Sequence, residues 1–101
     1  MNQLRIPING IYKIKGVGDV HVITGRIEQG TLNAGDIVRV ATRGVENLKV
    51  FSIEMHHKTL PSAKPGDNVG MNIKGLDKMN MPKVGDVISL QSEKLLEAVE
   101  N

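Results

Sequence analysis

The 101-residue chain contains no cysteine. That excludes a disulfide framework and any thiolate-bound metal; it leaves the redox compartment open, with a lean towards the cytoplasm. There is no tryptophan, and there is only one tyrosine and one phenylalanine, Tyr12 and Phe51. The core must therefore be aliphatic, built from Val, Ile, Leu and Met. No apolar run approaches the roughly 20 residues of a membrane span. The opening "MNQLRIPING" lacks the basic and apolar regions of a secretory signal, so we expect a cytoplasmic protein with no membrane partner. Room for helix is also scarce. Eleven glycines interrupt the chain at short intervals, and a helix of more than two turns fits only at the C-terminus. The charge is nearly balanced at +2, which admits an anionic partner such as RNA without requiring one. The length suits one domain, which buries roughly 65% of its unfolded surface in one core.

Between the glycines lie short, β-branched and often alternating runs. Leu4–Ile8 is apolar at every second residue, with Pro7 on the other face, so the run reads as an edge or a strand start. Val20–Glu28 is the longest strand candidate. Ile37–Ala41 and Leu48–Ile53 flank a polar "TRGVEN" turn and read as a hairpin, and Val69–Ile73 and Val87–Leu90 bring the count to about six or seven strands. Three Gly-Asp elements, "AGDIV", "PGDNV" and "VGDVI", precede strands. Each places glycine where φ can be positive and aspartate where its carboxylate closes a turn. Short strands at regular spacing predict an all-β fold, and closure into a small barrel removes exposed edges. We assign residues 1–91 to this barrel and 92–101 to a C-terminal tail or short helix, with Ser92 as a possible N-cap before Leu95, Leu96 and Val99.

The chemistry-bearing motifs mostly fail on inspection. "GRIEQGT" has the glycine spacing of a phosphate loop but lacks the Lys-Ser/Thr pair and the following helix. "GVGDVH" lacks the third glycine of a dinucleotide fingerprint. No nucleotide-hydrolysing machinery is visible, and no cofactor is expected. His56 and His57 are adjacent, so on a strand they point to opposite faces. With His21 distant in sequence, they do not supply the three convergent ligands of a metal site. Glu54 and His56 would share a face if the strand ran that far, and Ser52 on the same face lacks a nucleophile elbow. No catalytic residue is expected. The basic residues are scattered, although Lys13, Lys15, Arg26, His57 and Lys58 would form a phosphate-binding face if they converged.

Several segments together resemble one family. "LRIPINGIYKIKGVGDV", "GRIEQGTLNAGD", "IEMHHKTLPSAKPGDNVGMNIKGLD" and "VGDVI", colinear over roughly residues 4–90, resemble the second domain of elongation factor 1A and elongation factor Tu. "YKIKGVGDV" and "NIKGLDKMNMPKVGDV" look closest to the elongation-factor-like GTPases of some eukaryotes. The resemblance implies a closed six-stranded β-barrel without catalysis, which helps hold the aminoacylated 3′ end of tRNA. Its partners would be aminoacyl-tRNA, bound weakly by the barrel alone, the GTPase domain and second barrel of the parent factor, and a nucleotide exchange factor. Position by position, it implies that Ile14 and Val20 are apolar walls of a terminal-adenine pocket and that Glu54 lies against the adenine. It places Tyr12, Thr24 and Asn68 near the esterified amino acid, and His57 facing the RNA backbone. Together with Arg26, these are the expected RNA-binding residues.

This chain departs from the family at two places. Asn9-Gly10 stands where the family has an acidic pair or a Gln-Asp pair, and the segment before Gly25 is about two residues longer, which leaves Val20 and Val22 as rival pocket walls. A two-residue insertion preserves strand parity. Two readings follow: a tRNA-end-binding domain of a translational GTPase, or a structural barrel that docks proteins and has lost its RNA site, an engineered or chimeric barrel included. A flavin-type or reductase barrel is a third, opposed by the missing nucleotide fingerprint.

Overall fold

The computed structural model describes residues 3–14 and 20–93. Nine strands follow in order: β1 Ile6–Lys13, β2 His21–Arg26, β3 Leu32–Asn33, β4 Ile37–Val40, β5 Val45–Met55, β6 Lys58–Leu60, β7 Ser62–Ala63, β8 Asn68–Lys74 and β9 Val87–Leu90. A single 3-10 turn, Gln91–Glu93, ends the described chain. The rest of the expected C-terminal helix lies outside the described residues.

The antiparallel sheet runs β4-β9-β1-β2-β8-β5, and β4 pairs again with β5, which closes a six-stranded barrel. β6 extends β5 beyond the closure, and β3 and β7 form a separate two-stranded ribbon. Closure gives nearly every wall strand two partners and leaves little unpaired edge. The expected all-β barrel is therefore the observed fold.

Alternation along the strands explains the core. Ile6 and Ile8 of β1, Ile23 of β2, Leu48 and Ile53 of β5, and Met71 and Ile73 of β8 are essentially inaccessible and pack into one cluster. No aromatic side chain enters it. Pro7 points outward at the start of β1, where a missing N–H is tolerated. Close approach of β1 and β2 requires a glycine: a Cβ on Gly25 would lie 2.5 Å from the Pro7 carbonyl oxygen and 2.8 Å from Ile6 Cγ2.

The three Gly-Asp elements build the same turn. The Asp36, Asp67 and Asp86 N–H groups donate to the carbonyls of Asn33, Lys64 and Lys83 at 3.0, 3.1 and 2.9 Å. The three carboxylates accept from the N–H of those same residues at 2.8, 3.0 and 2.7 Å. The intervening glycines have φ of 95°, 95° and 99°, the left-handed conformation that position i+2 of a type II turn demands. Each glycine N–H also donates across to the barrel wall, to Val50, Ile27 and Ile8 respectively, so each turn is stitched to the frame.

The histidine pair is a correction to the strand reading. β5 ends at Met55, which pairs with Lys58, and His56 and His57 form the two-residue connection with φ of 53° and 64°. Two consecutive positive φ values are the pattern of a type I′ hairpin turn, whose twist matches that of its strands. The residues therefore do not alternate across a strand, and Glu54 and His56 do not share a strand face.

Candidate nucleic-acid interface

The wall β1-β2-β8-β5 turns a graded surface outward. Its rows follow from the register. Gly10, Thr24, Gly70 and Glu54 lie side by side across the four strands. Two residues along, Tyr12, Val22, Asn72 and Ser52 make the next row. Arg26 opposite Asn68 lies two residues to the other side. Directly opposed side chains on one face interact, and Asn72 accordingly donates to Ser52 Oγ at 2.6 Å.

Gly70 makes the first row concave. It has no side chain between Thr24 and Glu54, and a cavity of about 280 Å³ opens there, lined by Asn9, Thr24, Glu54, His56, Asn68 and Gly70 among others. Thr24 donates its hydroxyl to Asn9 Oδ1 at 2.5 Å, which fixes that corner. The Glu54 carboxylate is exposed and has no hydrogen-bond or ion-pair partner among the described residues. A fixed acceptor pair, a free carboxylate and the Asn68 amide thus converge on one depression. Such a set suits the orientation of a polar ligand. Among the described residues no group of three His, Cys, Asp or Glu side chains could hold a metal.

The expected site residues divide into several groups. Thr24, Glu54 and Asn68 line this cavity. Tyr12 adjoins it, with its ring over Gly10, so that a Cβ there would lie 2.9 Å from both Tyr12 Cε2 and its hydroxyl. The same Cβ would lie 2.6 Å from Thr24 Oγ1, so Tyr12 and Thr24 occupy the space that a side chain at position 10 would need. Ile14 is half-buried where the β1–β2 hairpin begins and donates its N–H to the Val20 carbonyl at 3.3 Å. Val20 is buried, whereas Val22 stands half-buried on the outer wall beside Gly70. Arg26 is exposed beyond Asn68, and His57 is exposed on the turn. The imagined cluster of Lys13 with Arg26 does not form. Lys13 pairs with His21 at one end of β2 and Arg26 occupies the other, about 16 Å away at strand rise. Lys15 lies outside the described residues.

Three residues of this outer wall escaped the sequence reading: Gly70, which lines the cavity, and Asn72 and Phe51 beside it. The register of β5 slips between Val50 and Ser52, so Leu48, Val50 and Ile53 all face inward while Phe51 and Ser52 both face out. Simple alternation cannot reveal such a bulge. Gly70 is at least visible as the small residue in an otherwise apolar-alternating "NVGMNIK".

A larger depression of about 610 Å³ lies elsewhere, between Asp36, Ile37, Asn47, Leu90, Gln91 and Ser92. Its polar groups serve the fold. Asp36 closes its own turn, and Gln91 and Asn47 exchange hydrogen bonds. Volume alone therefore does not mark the better candidate for polar recognition.

Comparison with known proteins adds the family. Residues 21–89 match the family described as Elongation factor Tu domain 2. Elongation factor 1-alpha of Methanocaldococcus jannaschii is 51% identical over 84 residues, covering 83% of this chain and 19% of that protein. Elongation factor 1-alpha of Halobacterium salinarum is 48% identical over 85 residues, covering 84% of this chain and 19% of that protein. In structure, translation elongation factor SelB from Methanococcus maripaludis in its apo form superposes with a TM-score of 0.77 at 31% identity, covering 90% of this chain and 19% of that one. The chain thus spans about a fifth of the length of the relatives it matches. No helix among the described residues is long and apolar enough to cross a membrane. With the match running through most of the barrel, the chain belongs to the elongation factor Tu domain 2 family.

Proposed function

We propose that this barrel is a non-catalytic, cytoplasmic domain of a translational GTPase that holds the aminoacylated 3′ end of tRNA. The observation that carries the reading is the convergence of Thr24, Glu54 and Asn68 around the gap left by Gly70. A terminal base is recognised by an apolar wall together with a polar group on its edge. Val22 and Ile14 offer the wall, and the unpartnered Glu54 carboxylate offers an acceptor for an exocyclic amine. The Asn68 amide has both a donor and an acceptor for the ester and its amino acid. Asn9-Gly10 stands where the resembling factors carry at least one acidic residue. A neutral amide there gives an α-ammonium group a hydrogen-bond acceptor but no ion pair, which weakens selection for a free amino terminus. His57 and Arg26, exposed at the same end, supply cationic or neutral donors to phosphate. The GTPase domain, second barrel and exchange factor are the protein partners of this reading, and binding by the barrel alone is weak because contact area is shared with those domains.

A second reading, a barrel that serves only to dock proteins, draws on the cleft of about 610 Å³ with Ile37 exposed at its rim. Titration of the isotope-labelled chain with a CCA-ended aminoacyl minihelix separates the two. We expect amide shifts at Thr24, Glu54 and Asn68. Shifts confined to the β4–β9 side, or none at millimolar ligand, would refute the tRNA reading.

A further inference from the structure

Asn-Gly is the strongest two-residue hairpin signal where it links two strands, yet Asn9-Gly10 makes no turn. It lies in the middle of β1. The pairing with β2 shows its place. Ile8 faces Gly25 and Gly10 faces Thr24, so Asn9 is one extra residue on β1 with no counterpart on β2. Such a bulge leaves the extra residue out of the ladder and disrupts the pairing around it. Gly10 is required by packing, since Tyr12 and Thr24 fill the space of a Cβ. Asn9 is exposed, and its carbonyl oxygen is bound by Thr24.

An asparagine followed by glycine carries its own nucleophile. The backbone nitrogen of the next residue attacks the side-chain Cγ and closes a five-membered ring. Glycine hinders that attack least, because it has no Cβ and its backbone is the most permissive. Asn9 is the only asparagine in the chain that precedes glycine. Asn2, Asn33, Asn47, Asn68, Asn72 and Asn80 all precede residues with side chains. Asn68 and Asn72 are also held in an unbroken ladder, opposite Arg26 and Val22.

The electrophile is polarised as well. Thr24 donates its hydroxyl to Asn9 Oδ1 at 2.5 Å. A donor at that oxygen stabilises the negative charge that gathers there when Cγ becomes tetrahedral. The bulge loosens the backbone, Gly10 supplies the nucleophile and Thr24 holds the oxygen. Asn9 and Thr24 line the same cavity as Glu54 and Asn68, so a change of charge at Asn9 is a change of charge in the cavity.

We infer that Asn9-Gly10 is a site of spontaneous deamidation, assisted by the Thr24 hydroxyl, which turns the neutral corner of the cavity into a carboxylate. The Gly10 nitrogen bonds to Asn9 Cγ and loses its proton. The Cγ–Nδ2 bond breaks, and Nδ2 leaves as ammonia with a proton in exchange. The product is a cyclic succinimide. Water then adds to one of the two ring carbonyls. Cleavage of the new N–Cγ bond leaves aspartate on an unaltered backbone. Cleavage of the original peptide bond leaves isoaspartate, which lengthens β1 by one backbone atom. In sum one water is consumed and one ammonia released, and nothing is oxidised or reduced. The aspartate shares the cavity with the Glu54 carboxylate, so an ageing chain gains attraction for an ammonium group. That consequence rests on the reading of the cavity as a ligand site; the modification itself does not.

The test ages the 101-residue chain in mildly alkaline buffer beside the free peptide "PINGIY". Peptide mapping by mass spectrometry follows each asparagine, and enzymatic methylation counts isoaspartate. Asn9 should convert before the six other asparagines, at a rate comparable with that of the peptide. Thr24→Val should slow the conversion by about 10-fold, the worth of one hydrogen bond, and an unchanged amide spectrum away from β2 shows that its barrel is intact. Asn9→Gln, whose ring would need six members, should stay unmodified. An Asn9 that remains an amide while the peptide converts refutes the site. Conversion at an equal or higher rate in Thr24→Val refutes the role given to that hydroxyl. The consequence is read with a stable amide-linked 3′-aminoacyl adenosine and its N-acetyl form. The aged chain should prefer the free amine by a few-fold more than a fresh one does, and aged Asn9→Gln should show no such gain. If Asn9 converts but the aged chain binds both forms alike, the cavity reading fails while the modification stands.

Discussion

Two carboxylates on the same barrel are used in opposite ways. Asp86 is saturated: its carboxylate accepts from the Lys83 N–H, from Thr42 Oγ1 and from the Arg43 guanidinium. The Lys83 N–H and then Arg43 hold its pKa down to about 2. Thr42 in turn accepts from the Val87 N–H, so the β4–β5 hairpin is clamped to the start of β9. Glu54 sits exposed at the end of an equally well-formed strand, with no partner among the described residues. The contrast distinguishes frame from site. Where donors and acceptors are spent on one another, the residues build the fold. Where they converge and remain unspent around a gap, they are available to a ligand.

The largest break in this comparison comes from removing what both regions stand on. Ile23→Ala, in a core site with no exposure, should cost about 2–5 kcal/mol. Urea denaturation should show the β4–β5 hairpin and the cavity wall unfolding together, as one cooperative unit. Next in size is Asp86→Asn, which should lower the denaturation midpoint at neutral pH. The sign of its pH dependence follows from the depressed pKa. Stabilisation by the native carboxylate is fully present above the ordinary value of 3.8 and is lost as pH falls through about 2. The wild-type advantage over Asp86→Asn should therefore persist at pH 5 and vanish near pH 2, as followed by circular dichroism.

On the site side the pattern should reverse. Glu54→Ala should leave stability within about 0.5 kcal/mol of wild type while weakening 3′-aminoacyl adenosine by about 10-fold, the worth of one hydrogen bond to a charged group. A stability loss equal to that of Asp86→Asn would erase the distinction between frame and site. The smallest effect is expected of Asn9→Asp. It keeps an acceptor for Thr24 and adds the missing charge, so it should improve binding of a free-amino ligand over its N-acetyl form by a few-fold. Equal binding of the two forms by the variant would remove the α-ammonium group from that corner.

Much of the frame was legible because its causes are local. The Gly-Asp turns at 33–36, 64–67 and 83–86 follow from one glycine with positive φ and one side chain of the right length. The inward set Ile6, Ile8, Ile23, Met71 and Ile73 follows from period-two alternation. The histidine turn was missed because type I′ turns ordinarily announce themselves with Asn or Gly, and His56-His57 has neither. Phe51 was missed because the bulge after Val50 breaks the alternation that would otherwise assign its face. The supposed convergence of Lys13 with Arg26 failed because their nearness depended on register along β2, which no scattered pair of charges reports.

The amino-acid sequence by itself determined the aliphatic core, the closed all-β architecture, the repeated turns and the family. Each depends on spacing along the chain, and spacing is what a sequence records. Only the tertiary structure decided that Gly70 opens a gap between Thr24 and Glu54, and that Asn68 reaches it. It also decided that Tyr12 and Phe51 are both exposed, with Lys74 over the Phe51 ring and opposite Lys49. Those relations join residues dozens of positions apart through strand pairing and a single bulge, and a shift of one residue in either would have turned them to another face.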